Sequence, residues 1–211
     1  MSGVGKSGKC PFCATNALEV VLMETSHFYV LVDNAPLVEG HLLIVPKGHW
    51  ACYGAVPASC DDELDATKRR VSDFLAQTYQ SACFFEHGVF RQTVFHAHLH
   101  AFPLGARAVT PDLAAEATLL GGRAVRAQDD IRSWYAANGH YFYVEQAPND
   151  ETERVAALFP AEEATYFRVL GQLLASGERL RPFQPQAARR VTAGPHMRAV
   201  AEAWRRHDHG A

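Results

Sequence analysis

The chain has 211 residues, 48% of them hydrophobic and 20% charged, with 20 basic against 23 acidic side chains and a net charge of −3. A chain of this size can bury a sizeable core, which excludes a mostly disordered protein, and the slight acidic surplus argues against broad attraction to nucleic acid or to an anionic membrane surface. No run of about 18 apolar residues is present to span a bilayer and no signal-peptide core is evident, so a cytosolic protein is expected, in which the five cysteines read as thiols or metal ligands.

Residues 1–9 read as a flexible lead. Gly3 to Lys9 fits G-x-x-x-x-G-K, yet Cys10 stands where a phosphate loop needs Ser or Thr and no strand precedes it, so a phosphate loop is not expected. Residues 19–33 carry β-forming side chains, with FYVLV at 28–32 the clearest strand, and Asp33-Asn34-Ala35-Pro36 reads as a turn. A strand is predicted at 41–45, closed by Pro46-Lys47-Gly48. Residues 61–80 predict a helix that Asp61 or Asp62 can cap, with Leu64, Val71, Phe74 and Leu75 as its apolar stripe. Two further strands are predicted at 82–86 and 93–102. Strands, one long helix, then strands indicate an α+β fold with a mainly antiparallel sheet. Past 103–105 the composition shifts to Ala, Arg and Glu, and helices are predicted at 111–120, 130–137, 160–176 and 195–207 around one more strand at 140–145. The reading divides the chain into the lead, a domain over 10–105, and a mostly helical C-terminal extension over 106–211.

The 93–102 strand contains Phe95-His96-Ala97-His98-Leu99-His100-Ala101-Phe102. Alternate residues of a strand share a face, so His96, His98 and His100 are expected to project together about 7 Å apart, with Phe95, Ala97, Leu99 and Ala101 turned to the core. Imidazoles in a row need partners, a metal or an anion. Exposed strand histidines are the bland reading. The functional readings are a His-x-His metal site and an anion pocket in which one histidine is nucleophile or general acid. Cys10-Pro11-Phe12-Cys13 forms a C-x-x-C pair. It can hold one zinc if histidines complete the set, since no second C-x-x-C exists; a redox pair or two unrelated buried thiols are the alternatives.

The stretch from His96 to Phe102 resembles the histidine triad pattern, His-φ-His-φ-His-φ-φ. Gly40 to His49 is similar to that family's Gly-His…Pro-Lys-x-His segment, Gln92-Thr93-Val94 to the Gln-Ser/Thr-Val leading into the triad, and Asp33 to its ribose-binding position. The resemblance covers residues 10–105. It implies a nucleotidyl hydrolase acting on a nucleoside phosphoramidate, a dinucleoside polyphosphate or a similar ester. His98 would be the nucleophile, with His100 and His41 around the phosphate oxygens or holding the tautomer, and Thr93 stabilising developing charge. Asp33, Gln92 and Arg91 would join His98 and His100 at the nucleotide. The resemblance also implies a structural zinc on Cys10, Cys13, His49 and His96, and a homodimer. A nucleotidyltransferase or phosphorylase like the galactose-1-phosphate uridylyltransferase branch, a nucleotide-binding module without turnover and a His-x-His metallohydrolase are the alternatives. The chain departs from the family in two places: Glu86 stands for an amide side chain, and Arg91 for a glycine. Tyr141, Phe142, Tyr143 and Trp134 are candidates to wall the pocket. Arg189 and Arg190 read as a solvated basic face, with contact to a distal phosphate as the alternative.

Overall fold

A computed structural model describes residues 10–14, 18–104, 113–147, 154–163, 165, 167, 168, 171 and 184–209. The lead at 1–9, the stretch 105–112 and most of the predicted 160–176 helix lie outside the described residues; residues 163, 165, 167, 168 and 171 are helical.

The strands are β1 (Val21–Glu24), β2 (Phe28–Val32), β3 (Leu42–Pro46), β4 (Ala82–Glu86), β5 (Leu99–Pro103), β6 (Arg123–Ala124), β7 (Phe142–Gln146) and β8 (Val155–Phe159). They form one sheet in the order β1-β2-β3-β5-β4-β7-β8-β6, every pairing antiparallel. The helices are α1 (Asp61–Thr78), α2 (Leu113–Leu119), α3 (Gln128–Asn138), α4 (Gln186–Thr192) and α5 (Gly194–His209).

The predicted strands at 28–32 and 82–86 form with those bounds, and the long helix starts at Asp61. Its N-cap is Cys60 without a side-chain bond, so Asp61, Asp62 and Glu63 act on the first turn through the helix dipole and not as the cap. Residues 93–98 are not strand: β5 begins only at Leu99. The backbone leaves the sheet before that point, where Ala97 N–H donates to Trp50 O at 2.7 Å, and Phe95, expected in the core, is 68% exposed. The sheet also continues past residue 105. β7 pairs with β4, bringing Phe85 opposite Val144, and β8 pairs with β7. Strand β8, Val-Ala-Ala-Leu-Phe, has no polar alternation because four of its five residues are buried, and such a run cannot be told from a helix by period alone.

Alternation along the strands sorts side chains onto two faces. Phe28, Val30, Leu42, Ile44, Phe84, Leu99 and Ala101 point to one face, which α1 and α5 cover with Phe74, Leu75, Val200 and Trp204. On the opposite face, Tyr29, Leu31, Leu43 and Val45 form one apolar patch. Phe85, Phe102, Phe142, Val144 and Phe159 form another. His100 pairs in register with Leu43 on one side and Phe85 on the other, so it falls between the two patches.

Two buried carboxylates tie the halves of the chain together. Glu145 on β7 accepts from Lys68 of α1, Tyr143 and Arg154; burial pushes its pKa up, but the two cations outweigh this and hold it below the ordinary value. Glu86 on β4 accepts from Tyr53 N–H at 2.9 Å and from the Tyr141 hydroxyl at 2.5 Å, and Tyr141 in turn accepts from Gly54 N–H at 2.9 Å. Full burial raises the Glu86 pKa from 4.5 to about 7.

Candidate functional site

His41, His98 and His100 meet in the gap between the two apolar patches. The His41 and His100 ring centroids are 5.1 Å apart, and those of His98 and His100 5.0 Å apart. Hydrogen-bond partners define their tautomers. Leu37 N–H donates to His41 Nδ1 at 3.3 Å, so the His41 proton is on Nε2, which lies 2.9 Å from His100 Nδ1 and donates to it. His100 therefore carries its proton on Nε2, a buried atom with no partner among the described residues. His98 Nδ1–H donates to the His96 carbonyl at 2.7 Å, which leaves its lone pair on Nε2. Burial lowers the pKa of His98, takes His100 well below the ordinary value and takes His41 to about 4, the last against the pull of Asp33. These rings are neutral near pH 7, as a nitrogen nucleophile must be.

Two adjoining hollows open at these rings, of about 130 and 230 Å³. Asp33, Thr93, His98, His100 and Gln186 line both. The smaller has an apolar wall of Phe12, Leu18, Val20, Leu31 and Leu43, with Glu19, Asn34 and the exposed Arg190 also lining it. The larger is lined by His41, His87, Arg91, Gln92 and Arg189. Asp33 Oδ1 accepts from Ala35 N–H at 2.6 Å, and Oδ2 lies 3.5 Å from His41 Nδ1.

His96 does not join the other two. Its Nε2–H donates to Pro46 O at 2.7 Å, and its Nδ1 faces Cys10 Sγ at 3.4 Å, Cys13 Sγ at 3.5 Å and His49 Nδ1 at 3.2 Å. The expectation of three imidazoles on one strand face is thus corrected: the chain has left the sheet at His96, and that ring turns to the thiols instead. His49 Nδ1 is 3.2 Å from Cys13 Sγ, and all four donor atoms lie within 4.8 Å of one another. A tetrahedral zinc with bonds of about 2.0 Å to nitrogen and 2.3 Å to sulfur separates its ligands by about 3.3–3.8 Å, so this S₂N₂ set fits one zinc ion.

Of the other sequence candidates, Gln92 Nε2 donates to Ala51 O at 3.0 Å, and Thr93 lies exposed at the mouth. Arg91 adopts φ 54°, the left-handed backbone for which glycine is the usual residue, and its guanidinium pairs with Glu163 and stacks over Phe167. Glu86 lines neither hollow; the neighbouring His87 does, its ring 5.4 Å from His100 and its pKa lowered to about 3 by burial. Gly88 at φ 58° makes the turn behind it, where a Cβ would lie 2.7 Å from Tyr141 O. Tyr141, Phe142, Tyr143 and Trp134 do not wall the hollows. Alternation along β7 sends Phe142 into the Phe85–Phe102 patch beside the gap and Tyr143 to the opposite face of the sheet, and neither lines a hollow. Sequence reading had no reason to single out His87 or Gln186. His87 sits outside any histidine periodicity, and Gln186 reaches the site only through the packing of α4.

Residues 4–114 match the family described as "Protein similar to CwfJ C-terminal". Adenosine 5'-monophosphoramidase HNT1 of Saccharomyces cerevisiae is 32% identical over 99 residues, covering 44% of this chain and 61% of the yeast protein. An uncharacterized HIT-like protein of Mycobacterium tuberculosis is 30% identical over 102 residues, covering 44% of this chain and 70% of that protein. Among solved structures, a Zn-bound histidine triad family protein from Mycobacterium smegmatis is 21% identical over 61% of this chain and 94% of that one, with a TM-score of 0.41. The chain belongs to the histidine triad (HIT) family. Less than two thirds of the yeast protein's length is represented in the match.

Proposed function

We propose that this protein is a nucleotidyl hydrolase that works through a nucleotidyl-histidine intermediate, on a nucleoside phosphoramidate, a dinucleoside polyphosphate or a similar nucleotidyl ester. The observation that carries this reading is the His98 ring. Its Nδ1–H is held by a backbone carbonyl at 2.7 Å and its Nε2 lone pair is left beside the hollows, next to a His100 N–H that has no partner among the described residues. The apolar hollow takes the base, and the Asp33 carboxylate takes the ribose hydroxyls. His98 Nε2 attacks the α-phosphorus, forming an N–P bond as the bond to the leaving group breaks. His100 Nε2–H, aligned through His41, hydrogen-bonds the phosphoryl oxygens, while Thr93, Gln92 and Arg91 bound the same space. Water then attacks phosphorus and restores His98. The yeast relative's name, a phosphoramidase, supports the same reaction class.

Cys10, Cys13, His49 and His96 would hold zinc. Four protein ligands leave no open position, so the ion's role is structural, anchoring the segment that carries His98. Residues 10–105 are the proposed nucleotide-binding unit, and 106–211 an extension packed on it. A homodimer is part of the proposal. With β4 already paired to β7 inside the chain, an edge-to-edge dimer would use β1 or β6, the sheet edges among the described residues. Five free cysteines fit a reducing, cytosolic setting. No helix among the described residues is long and apolar enough to cross a membrane.

Acid-labile, base-stable label retained on the protein after incubation with labelled adenosine 5'-phosphoramidate and an alkaline quench, and mapped to His98 by mass spectrometry, is the expected result. Turnover with no adduct, or an adduct on another residue, overturns the assignment.

A further inference from the structure

The larger hollow is closed by a residue from the far end of the chain. Arg189 of α4 lines it, half-buried, whereas the exposed Arg190 beside it lines only the smaller hollow. Two bonds fix its guanidinium: Nε donates to Ala35 O at 3.0 Å, in the turn after Asp33, and Nη1 donates to Gln184 O at 2.6 Å. The remaining nitrogen, Nη2, has no acceptor among the described residues. Asp33 is the single carboxylate among the described residues that line this hollow, and it acts on Arg189 through space. The other lining arginine, Arg91, is engaged by Glu163. His41 and His87 are kept uncharged by burial. A guanidinium drawn partly out of water, with its plane fixed and one amino group uncommitted, is built to meet an anion.

The position of that anion follows from the division of the cleft. The base occupies the apolar hollow and the α-phosphorus sits at His98 and His100, which line both spaces. The larger hollow then receives whatever departs. We propose that Arg189 is a specificity-determining anion subsite for the leaving group, so that substrates whose leaving group carries its own phosphate are selected over those that release a neutral amine. This rests on the function proposed above. It sharpens that reading by separating polyphosphate-type substrates from simple phosphoramidates.

The test uses the full chain, with AMP and ADP as probes in titration calorimetry, because the β-phosphate of ADP occupies the place of an anionic leaving group. Wild type is expected to bind ADP about tenfold tighter than AMP, and Arg189→Gln to lose that preference while its AMP affinity stays within about threefold. Arg189→Lys, which keeps the charge without the planar fork, should retain part of it. In turnover, Arg189→Gln should lower kcat/KM for diadenosine triphosphate about tenfold and leave adenosine 5'-phosphoramidate nearly unchanged. Equal affinity of wild type for AMP and ADP overturns the subsite and leaves the proposed function standing. An equal fall in affinity for both nucleotides in Arg189→Gln also overturns it, since that is what loss of α4 docking alone would produce. Binding of neither nucleotide to wild type overturns the reading on which it rests.

Discussion

His96 and His98 are separated by one alanine, yet they serve two clusters of opposite design. At His96 a backbone carbonyl takes Nε2, so Nδ1 is turned toward two sulfurs and another imidazole. At His98 a backbone carbonyl takes Nδ1, so Nε2 is presented to the hollows. Phe12 stands between them, its ring 5.6 Å from each. The donors around His96 form a closed set, whereas those around His98 leave His100 Nε2 unpartnered among the described residues. Residue type alone does not divide a metal ligand from a nucleophile. The division is made by which ring nitrogen the backbone occupies and by what lies opposite the other.

Replacing each histidine in turn gives the largest effects and separates the two clusters most directly. His98→Ala should reduce turnover at least about a thousandfold while zinc content and thermal midpoint stay near wild type. His96→Ala should lose the zinc and about 3 kcal/mol of stability, a fall in midpoint of roughly 10 °C for a chain of this size. Cys13→Ser and treatment with a strong chelator should follow His96→Ala. Zinc lost from His98→Ala, or a zinc-free protein of unchanged midpoint, would show that the two clusters are not separate in role.

Glu86 sharpens the contrast from outside both clusters. Its folded pKa, raised by burial from 4.5 to about 7, means that its protonated form is favoured in the native state. Its contribution is therefore fully present below about pH 4.5 and is lost as pH rises through 7, by about 3 kcal/mol in total. The buried histidines, with depressed values, act in the opposite sense and destabilise the fold as pH falls. Urea unfolding of wild type and Glu86→Gln at pH 5 and pH 8 isolates the carboxyl, because the histidines cancel in the difference. The wild type should lose stability relative to the variant between those values; a constant difference refutes the assignment. Nucleotide turnover should change little in Glu86→Gln, since Glu86 lines neither hollow.

The smallest expected effect is at the ribose. Asp33 Oδ1 already accepts from Ala35 N–H, so Oδ2 is the oxygen left for a hydroxyl. Wild type should bind AMP about tenfold tighter than its 2'-deoxy analogue, and Asp33→Ala should remove the preference. A preference that survives the substitution would move ribose recognition to another group.

Local pattern was enough to show several parts of this protein. The strands at 28–32 and 82–86, the long helix, the turn at Asp33, the thiol pair and the histidine run are each written within a few neighbouring residues, where side-chain period and turn chemistry act. Other features were decided across long separations. The Pro46 carbonyl and the thiols of Cys10 and Cys13 draw His96 away from the face its alternation predicts. The strand predicted at 140–145 forms at 142–146 and pairs with β4, and pairing with it makes a strand of 155–159, a run whose period does not tell strand from helix. Docking of α4 beside Ala35 brings both arginines of an apparently solvated pair to the cleft, Arg189 half-buried at the larger hollow and Arg190 exposed at the smaller. Period encodes which face a residue takes within its own element. The partner it meets there, and hence the nitrogen or charge it presents, is set only when distant segments pack and remove the alternatives from water.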